Sequence, residues 1–219
     1  MTRLYDSMTI GQLREFEKAN PQMPQYAHRA TCANYQEFIA TLYGEIDTIV
    51  SSLVRDANIL QGETYSENAI NADICRQLRC FGYEAHFDKN SRGHSDISVE
   101  YARYSWIGEG KKVTSVDNTH LKSGYDQLIH RYVAGTAGAD HAGLLIYCYA
   151  KDARHVLTQW GEHLRTRNEA NDGYAEGIAP CAGNENFAFS SISKHVSSGS
   201  TLTIKHIILP LHWAPPKTN

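Results

Sequence analysis

The chain has 219 residues, 42% of them hydrophobic, and a formal net charge of −3, which fits one globular domain with appendages and excludes a disordered chain. The mild acidity argues against a nucleic-acid binder working by bulk electrostatics, although basic residues outnumber acidic ones between Arg76 and Arg131. No apolar run is long enough to cross a bilayer, so no membrane partner is expected.

From the N-terminus, Ile10, Leu13 and Phe16 predict a short amphipathic helix that ends before Asn20-Pro21. Gln22 to Ala30, with Pro21 and Pro24, reads as an extended connector. Tyr35 to Val54 carries the strongest helical pattern: Tyr35, Ile39, Leu42, Ile46, Ile49 and Leu53 recur at steps of four and three, and Phe38, Tyr43 and Val50 widen the stripe. A stripe this wide suits packing on its own domain; its near-heptad spacing also suits a homodimer through the 35–54 helix. Thr64 to Phe81 reads as a second helix, with Ile70, Ile74 and Leu78 spaced at four and Glu67 on the same stripe. Thr64-x-x-Glu67 is a capping-box pattern, and Glu67 is also a candidate ligand on a buried face, with Glu63 a lesser one. Gly82 ends that helix, and Tyr83 to Phe87 follows as a strand.

Gly93 to Val113 is the centre of the pattern. Two runs of period-two alternation are separated by a short polar turn, which predicts a strand pair. In the first, Ile97, Val99 and Tyr101 share one face and Asp96, Ser98 and Glu100 the other. In the second, Ile107, Glu109 and Lys111 share a face, opposite Trp106, Gly108 and Gly110. Adjacent strands can then gather Asp96, Glu109 and Lys111 around one point. Two carboxylates and an ammonium converging there suit a hard divalent cation and the phosphate it holds. Lys112 faces away and reads as a solvated or phosphate-backbone cation.

Asn118 to Ala134 predicts a further helix, with an apolar face that includes Leu121, Tyr125 and Leu128; Gln127 and Arg131 lie four apart on it. Gly143 to Ala150 is a continuous apolar run, the mark of a strand buried on both faces. A helix from Asp152 through Arg165, a surface loop over 168–186, and strands at 187–192 and 201–211 complete the reading. Five scattered cysteines form no C-x-x-C pair and fit reduced thiols, and eleven histidines include no H-E-x-x-H cluster. With no apolar core of a signal peptide at Met1-Thr2-Arg3-Leu4-Tyr5-Asp6, the expected location is cytoplasmic.

The order helix, strand, strand, strand, helix, strand, with Asp96 in the second strand and Glu109-Gly110-Lys111 in the third, resembles the PD-(D/E)xK, or restriction-endonuclease-like, nuclease superfamily. Glu67 resembles the acid that many members carry on the first helix. Gln127 with Tyr132 resembles their Gln-x-x-x-Tyr element with one extra residue, whereas Gln127 with Arg131 keeps the shorter spacing. Ser95 stands where many members have proline, and Gly110 where an apolar residue is usual; with Gly108 it would leave one face bare for the following helix to approach.

The resemblance implies an α/β fold: an αβββαβ core with a mixed central sheet flanked by helices, over residues 61–219, and a helical N-terminal extension over 1–60. It implies an Mg²⁺-dependent endonuclease acting on DNA, with Mn²⁺ able to substitute, in restriction, antiphage defence or repair. Asp96, Glu109 and the Gly110 carbonyl would hold the ion, and Glu67 a water or second ion. Lys111 would stabilise transition-state charge, and Gln127 would orient the nucleophile or a phosphate. The lack of a nucleic-acid-reading module suggests a regulatory or targeting protein partner. Two alternatives stay open: a catalytically inactive nuclease-fold module that binds nucleic acid or a protein, and an RNA-directed nuclease.

Overall fold

The computed structural model describes residues 8–20, 23, 25–62, 65–90, 94–132, 135–170, 173–196 and 198–215, without the side chains of 89, 90, 94, 131 and 132. Helices α1 (Ile10–Ala19), α2 (Tyr26–Ala30), α3 (Tyr35–Arg55) and α4 (Glu67–Cys80) precede strands β1 (Glu84–Asn90), β2 (His94–Tyr101) and β3 (Tyr104–Val113). Helix α5 (Asn118–Gln127) runs into a π-helical turn (Leu128–Tyr132) and leads to β4 (His141–Cys148). Helix α6 (Ala153–Ala170), β5 (Glu176–Pro180), β6 (Ala188–Lys194) and β7 (Thr201–Pro210) follow.

The seven strands form one mixed sheet in the order β1-β2-β3-β4-β7-β6-β5. Strands β3, β4 and β7 run parallel to one another, and the outer pairings on both sides are antiparallel. The parallel strands are central and buried on both faces, as continuous apolar runs such as Leu144-Leu145-Ile146-Tyr147 require.

Alternation in the strands divides the core into two layers. Ile97, Val99, Trp106, Leu145 and Tyr147 pack with α3 and α4, whereas Ile107, Leu144, Ile146 and Ile204 pack with α5 and α6. The α3 stripe Ile39, Leu42, Ile46, Ile49 and Leu53 is buried in the first layer. The seam offered for a homodimer is therefore occupied inside the chain. Its hydrophobic face is the one that covers the sheet.

Local capping explains most helix starts. Asn34 accepts the Glu37 N–H, Asp117 the His120 N–H and Asp152 the His155 N–H. At α4 the cap is Ser66, whose hydroxyl accepts the Ala69 N–H. Glu67 is thus the first helical residue and not the third, so the expected capping box does not hold; Thr64 and Glu63 lie outside the described residues. Gly82, at φ 92°, takes the left-handed turn that ends α4.

Two local readings are corrected. The stretch expected as an extended connector contains helix α2, because distant carboxylates cap it: Glu17 accepts the Ala27 and His28 N–H groups, and Glu45 accepts that of Gln25. The loop expected over 168–186 contains β5, a mostly exposed edge strand whose pairing with β6 is irregular, so it carries little apolar alternation to read.

Candidate metal centre

Strands β2 and β3 pair from the hairpin end, Tyr101 opposite Tyr104, as far as Ile97 opposite Gly108. Beyond that point both strands continue, yet no ladder joins them among the described residues. The sheet opens into a fork, and two carboxylates serve the β3 amides left on its open edge. Asp96 Oδ2 accepts the Gly110 N–H at 2.9 Å, and Glu67 Oε2 accepts the Lys112 N–H at 2.6 Å. Successive residues of a strand direct their backbone groups to alternate sides, so the Gly110 carbonyl lies on that same open edge.

Glu109 and Lys111 point to the opposite layer, beneath α5. Gly124 makes this approach feasible: a Cβ there would lie 2.7 Å from Lys111 Cε and 3.1 Å from Glu109 Cγ. Lys111 Nζ donates to Glu109 Oε1 at 2.6 Å and stands 3.8 Å from Glu67 Oε1. Lys111 thus stands between Glu109 and Glu67, while Asp96 and Glu67 hold the two amides of the open β3 edge.

The face carrying Gly108 and Gly110 is not bare, and α5 does not approach it. The Trp106 ring covers Gly108, where a Cβ would meet it at 2.6 Å. At Gly110 a Cβ would lie 2.2 Å from Asn71 Oδ1 and 2.9 Å from Tyr147. The glycine is therefore a packing requirement: α4 lays buried Asn71, which accepts the Tyr147 hydroxyl, directly against the β3 backbone.

The electrostatics of the centre are under-compensated. Glu109 is 2% exposed, and its Oε2 has no hydrogen-bond partner. Burial, and then the charge of Asp96, push the Glu109 carboxyl up to about 7 against the pull of Lys111. Burial also raises Asp96, against the Gly110 N–H and Lys111. Lys111 is buried, which disfavours its charge, but Glu109, Glu67 and Asp96 together hold it above the ordinary lysine value.

Two further placements bear on the expected roles. Gln127, one turn along α5 from Gly124, makes no hydrogen bond to Asp96, Glu109, Lys111 or Glu67, and its Oε1 is buried without a partner. The π-helical turn Leu128–Tyr132 follows directly, and the side chains of Arg131 and Tyr132 lie outside the described residues. Lys112 is half-buried, and its ammonium is engaged within the chain. Its Nζ donates to the Tyr65 carbonyl at 2.8 Å and lies over the Tyr149 ring, tying the segment before α4 to β3.

Sequence reasoning missed Asn71 and His120. His120 Nε2 lies 3.5 Å from Glu67 Oε2. Nothing in the local pattern marks His120, because the contact joins the first turn of α5 to the first residue of α4.

Among the described residues, no three His, Cys, Asp or Glu side chains are grouped closely enough to ligate one metal ion. The donors offered are the buried Glu109 carboxylate, with its orphan oxygen, the half-buried Asp96 carboxylate and a strand-edge carbonyl. Of the common ions, Mg²⁺ would ask least of such donors, because it keeps several of its waters and needs few protein ligands. Comparison with family models, with curated proteins and with solved structures finds no match for the chain. No helix of the described residues is long and apolar enough to cross a membrane.

Proposed function

We propose that the protein is a metal-dependent phosphodiester hydrolase of the PD-(D/E)xK kind, an endonuclease acting on DNA in restriction, antiphage defence or repair. The observation that carries this reading is the buried Glu109 oxygen without a partner, beside Asp96 and at the mouth of an open strand fork. A buried carboxylate raised to about 7 next to a second acid is a site short of positive charge, and an ion would supply it. Support for the fold comes from the element order α4-β1-β2-β3-α5-β4, with the acids on β2 and β3 and a third on α4.

Asp96, Glu109 and the Gly110 carbonyl would hold Mg²⁺ or Mn²⁺, with Glu67 holding a water or a second ion. When bound, the ion polarises the scissile phosphate and makes a water acidic enough to attack. Lys111, held between Glu109 and Glu67, keeps its proton and stabilises the negative charge that gathers on the phosphoryl oxygens. Gln127, whose side-chain oxygen is buried without a partner, is the candidate for orienting the nucleophile.

Asp96→Ala and Lys111→Ala are each expected to lower Mg²⁺-dependent cleavage of plasmid and linear DNA by at least about 10³-fold, with circular dichroism unchanged. Cleavage at the wild-type rate by either variant rejects the assignment.

Two observations favour a second reading, a nuclease-fold module that binds nucleic acid or protein without cutting: Lys111 is engaged by Glu109, and no three-ligand group is assembled among the described residues. Calorimetric titration with Mn²⁺ in the presence of a DNA duplex separates the two. Stoichiometric metal binding supports the hydrolase, and none supports the module. Running the cleavage assay on RNA in parallel decides the substrate.

A further inference from the structure

Helix α5 has a second face. Gly124 looks toward Glu109 and Lys111, whereas Lys122 and Asp126, each two positions away and so roughly opposite on the helix, line an open cleft of about 480 Å³. Arg167 of α6 and Lys194 at the end of β6 line the same cleft, together with His195 and Tyr174. Its basic groups thus come from three elements and the residue after one of them, so the fold itself brings them together.

The cleft is built for an anion in several respects. The Lys194 ammonium has no side-chain partner among the described residues. His195 is 4% exposed, and its Nδ1 accepts the Ser198 N–H at 3.1 Å, which leaves the ring proton on Nε2. That Nε2 has no protein acceptor among the described residues, and the ring is seated against Gly135, where a Cβ would meet it at 2.6 Å. Asp126 is the one acid lining the cleft among the described residues, and it is engaged twice, by Lys122 and by the Tyr174 hydroxyl at 2.7 Å. The field extends beyond the cleft. His163, on α6, is held below the ordinary imidazole range by burial and then by the charges of Arg167 and Lys122.

We propose that this cleft is a second binding site, taking a nucleotide-sized phosphoanion. Its volume lies within the range of about 300 to 1,000 Å³ that suits a small organic ligand. Ile129 and Val196 give it apolar wall beside the basic groups, as a ligand with both a ring and a phosphate needs. The site is independent of the hydrolase reading, because none of its lining residues belongs to the fork.

The test is calorimetric titration of the full chain, in metal-free buffer, with AMP, ADP and inorganic pyrophosphate. One-site saturable binding of at least one probe is expected. The double variant Lys194→Glu/Arg167→Glu alters two exposed side chains and is expected to keep the wild-type Tm while weakening that binding by at least tenfold. Asp96→Ala is expected to bind the same probe as wild type does. Absence of saturable binding for all three probes at millimolar concentration overturns the proposal, as does undiminished binding by the double variant. Binding of an oligothymidylate alone, with none of the small probes, also overturns it.

Discussion

Glu45 and Glu109 are both glutamates buried to within a few per cent, in different regions of one molecule, and the chain treats them in opposite ways. Glu45, on α3, accepts from the Arg29 guanidinium at 3.0 Å, from the Gln25 N–H at 3.0 Å and from the Tyr83 hydroxyl. Arg29 in turn lies over the rings of Tyr26, Tyr83 and Tyr101. Nearby Glu17 is similar: although burial works against its charge, the Ala27 N–H and His28 hold it below the ordinary carboxylate value. Glu109 has one partner, Lys111, and an oxygen with none. A buried acid whose bonds are complete stiffens the fold, whereas one left incomplete beside another acid stores an affinity for a cation.

The largest effect expected from this contrast is on stability. Glu45→Ala leaves Arg29 buried without its counter-charge and is expected to cost about 3 to 5 kcal/mol, measured by urea unfolding. Glu109→Gln keeps an acceptor for Lys111 and removes the uncompensated charge. In metal-free buffer at pH 8 it is expected to be at least as stable as wild type. A loss for Glu109→Gln equal to that of Glu45→Ala would erase the distinction between the two regions.

Next in size is a pH effect. The Glu109 carboxyl sits near 7 in the folded chain and near 4.5 when unfolded, so the folded state holds its proton longer. Between about pH 4.5 and 7 the unfolded chain loses that proton first, and metal-free stability is expected to fall as pH rises, by up to about 3 kcal/mol. Glu109→Gln should flatten this slope. The buried imidazole of His206 acts in the other direction over an overlapping window. Burial lowers it to about 3, so its contribution is complete above the ordinary imidazole value of 6.5 and is lost as pH falls. Subtracting the Glu109→Gln profile from that of wild type isolates the Glu109 part.

The smallest effect is at Gly110. Gly110→Ala forces a methyl against Asn71 and Tyr147 and is expected to cost about 1 to 3 kcal/mol, read as a lowered Tm. Gly124→Ala crowds Lys111 and Glu109 instead and should weaken Mn²⁺ binding, because the methyl displaces the groups of the centre themselves. Wild-type Mn²⁺ affinity in Gly124→Ala would detach α5 from the centre.

Much of this was legible in the sequence. The alternation around Asp96 and Glu109-Gly110-Lys111 sets their faces, because a strand's side-chain period is fixed by its backbone. The α3 stripe and the apolar β4 run likewise announce a helix and a buried strand. Sequence alone does not show where those surfaces go. Whether the α3 stripe meets a second chain or its own sheet is decided by the packing of elements far apart in the chain.

The same limit governs the centre. Local pattern gives the residue types and their faces, but not the fork, since the end of the β2–β3 ladder is set by how each strand pairs on its other edge. It does not give the reason for Gly110, which is the approach of Asn71 from α4, nor the contact between His120 and Glu67. Helix α2 is hidden for the same reason, since its caps are Glu17 and Glu45 and not its own neighbours. Periodicity and capping are properties of a few consecutive residues, and the sequence determines them. Burial, orphaned hydrogen-bonding atoms and the pull of one charge on another are sums over neighbours brought from elsewhere, and only the tertiary structure decides them.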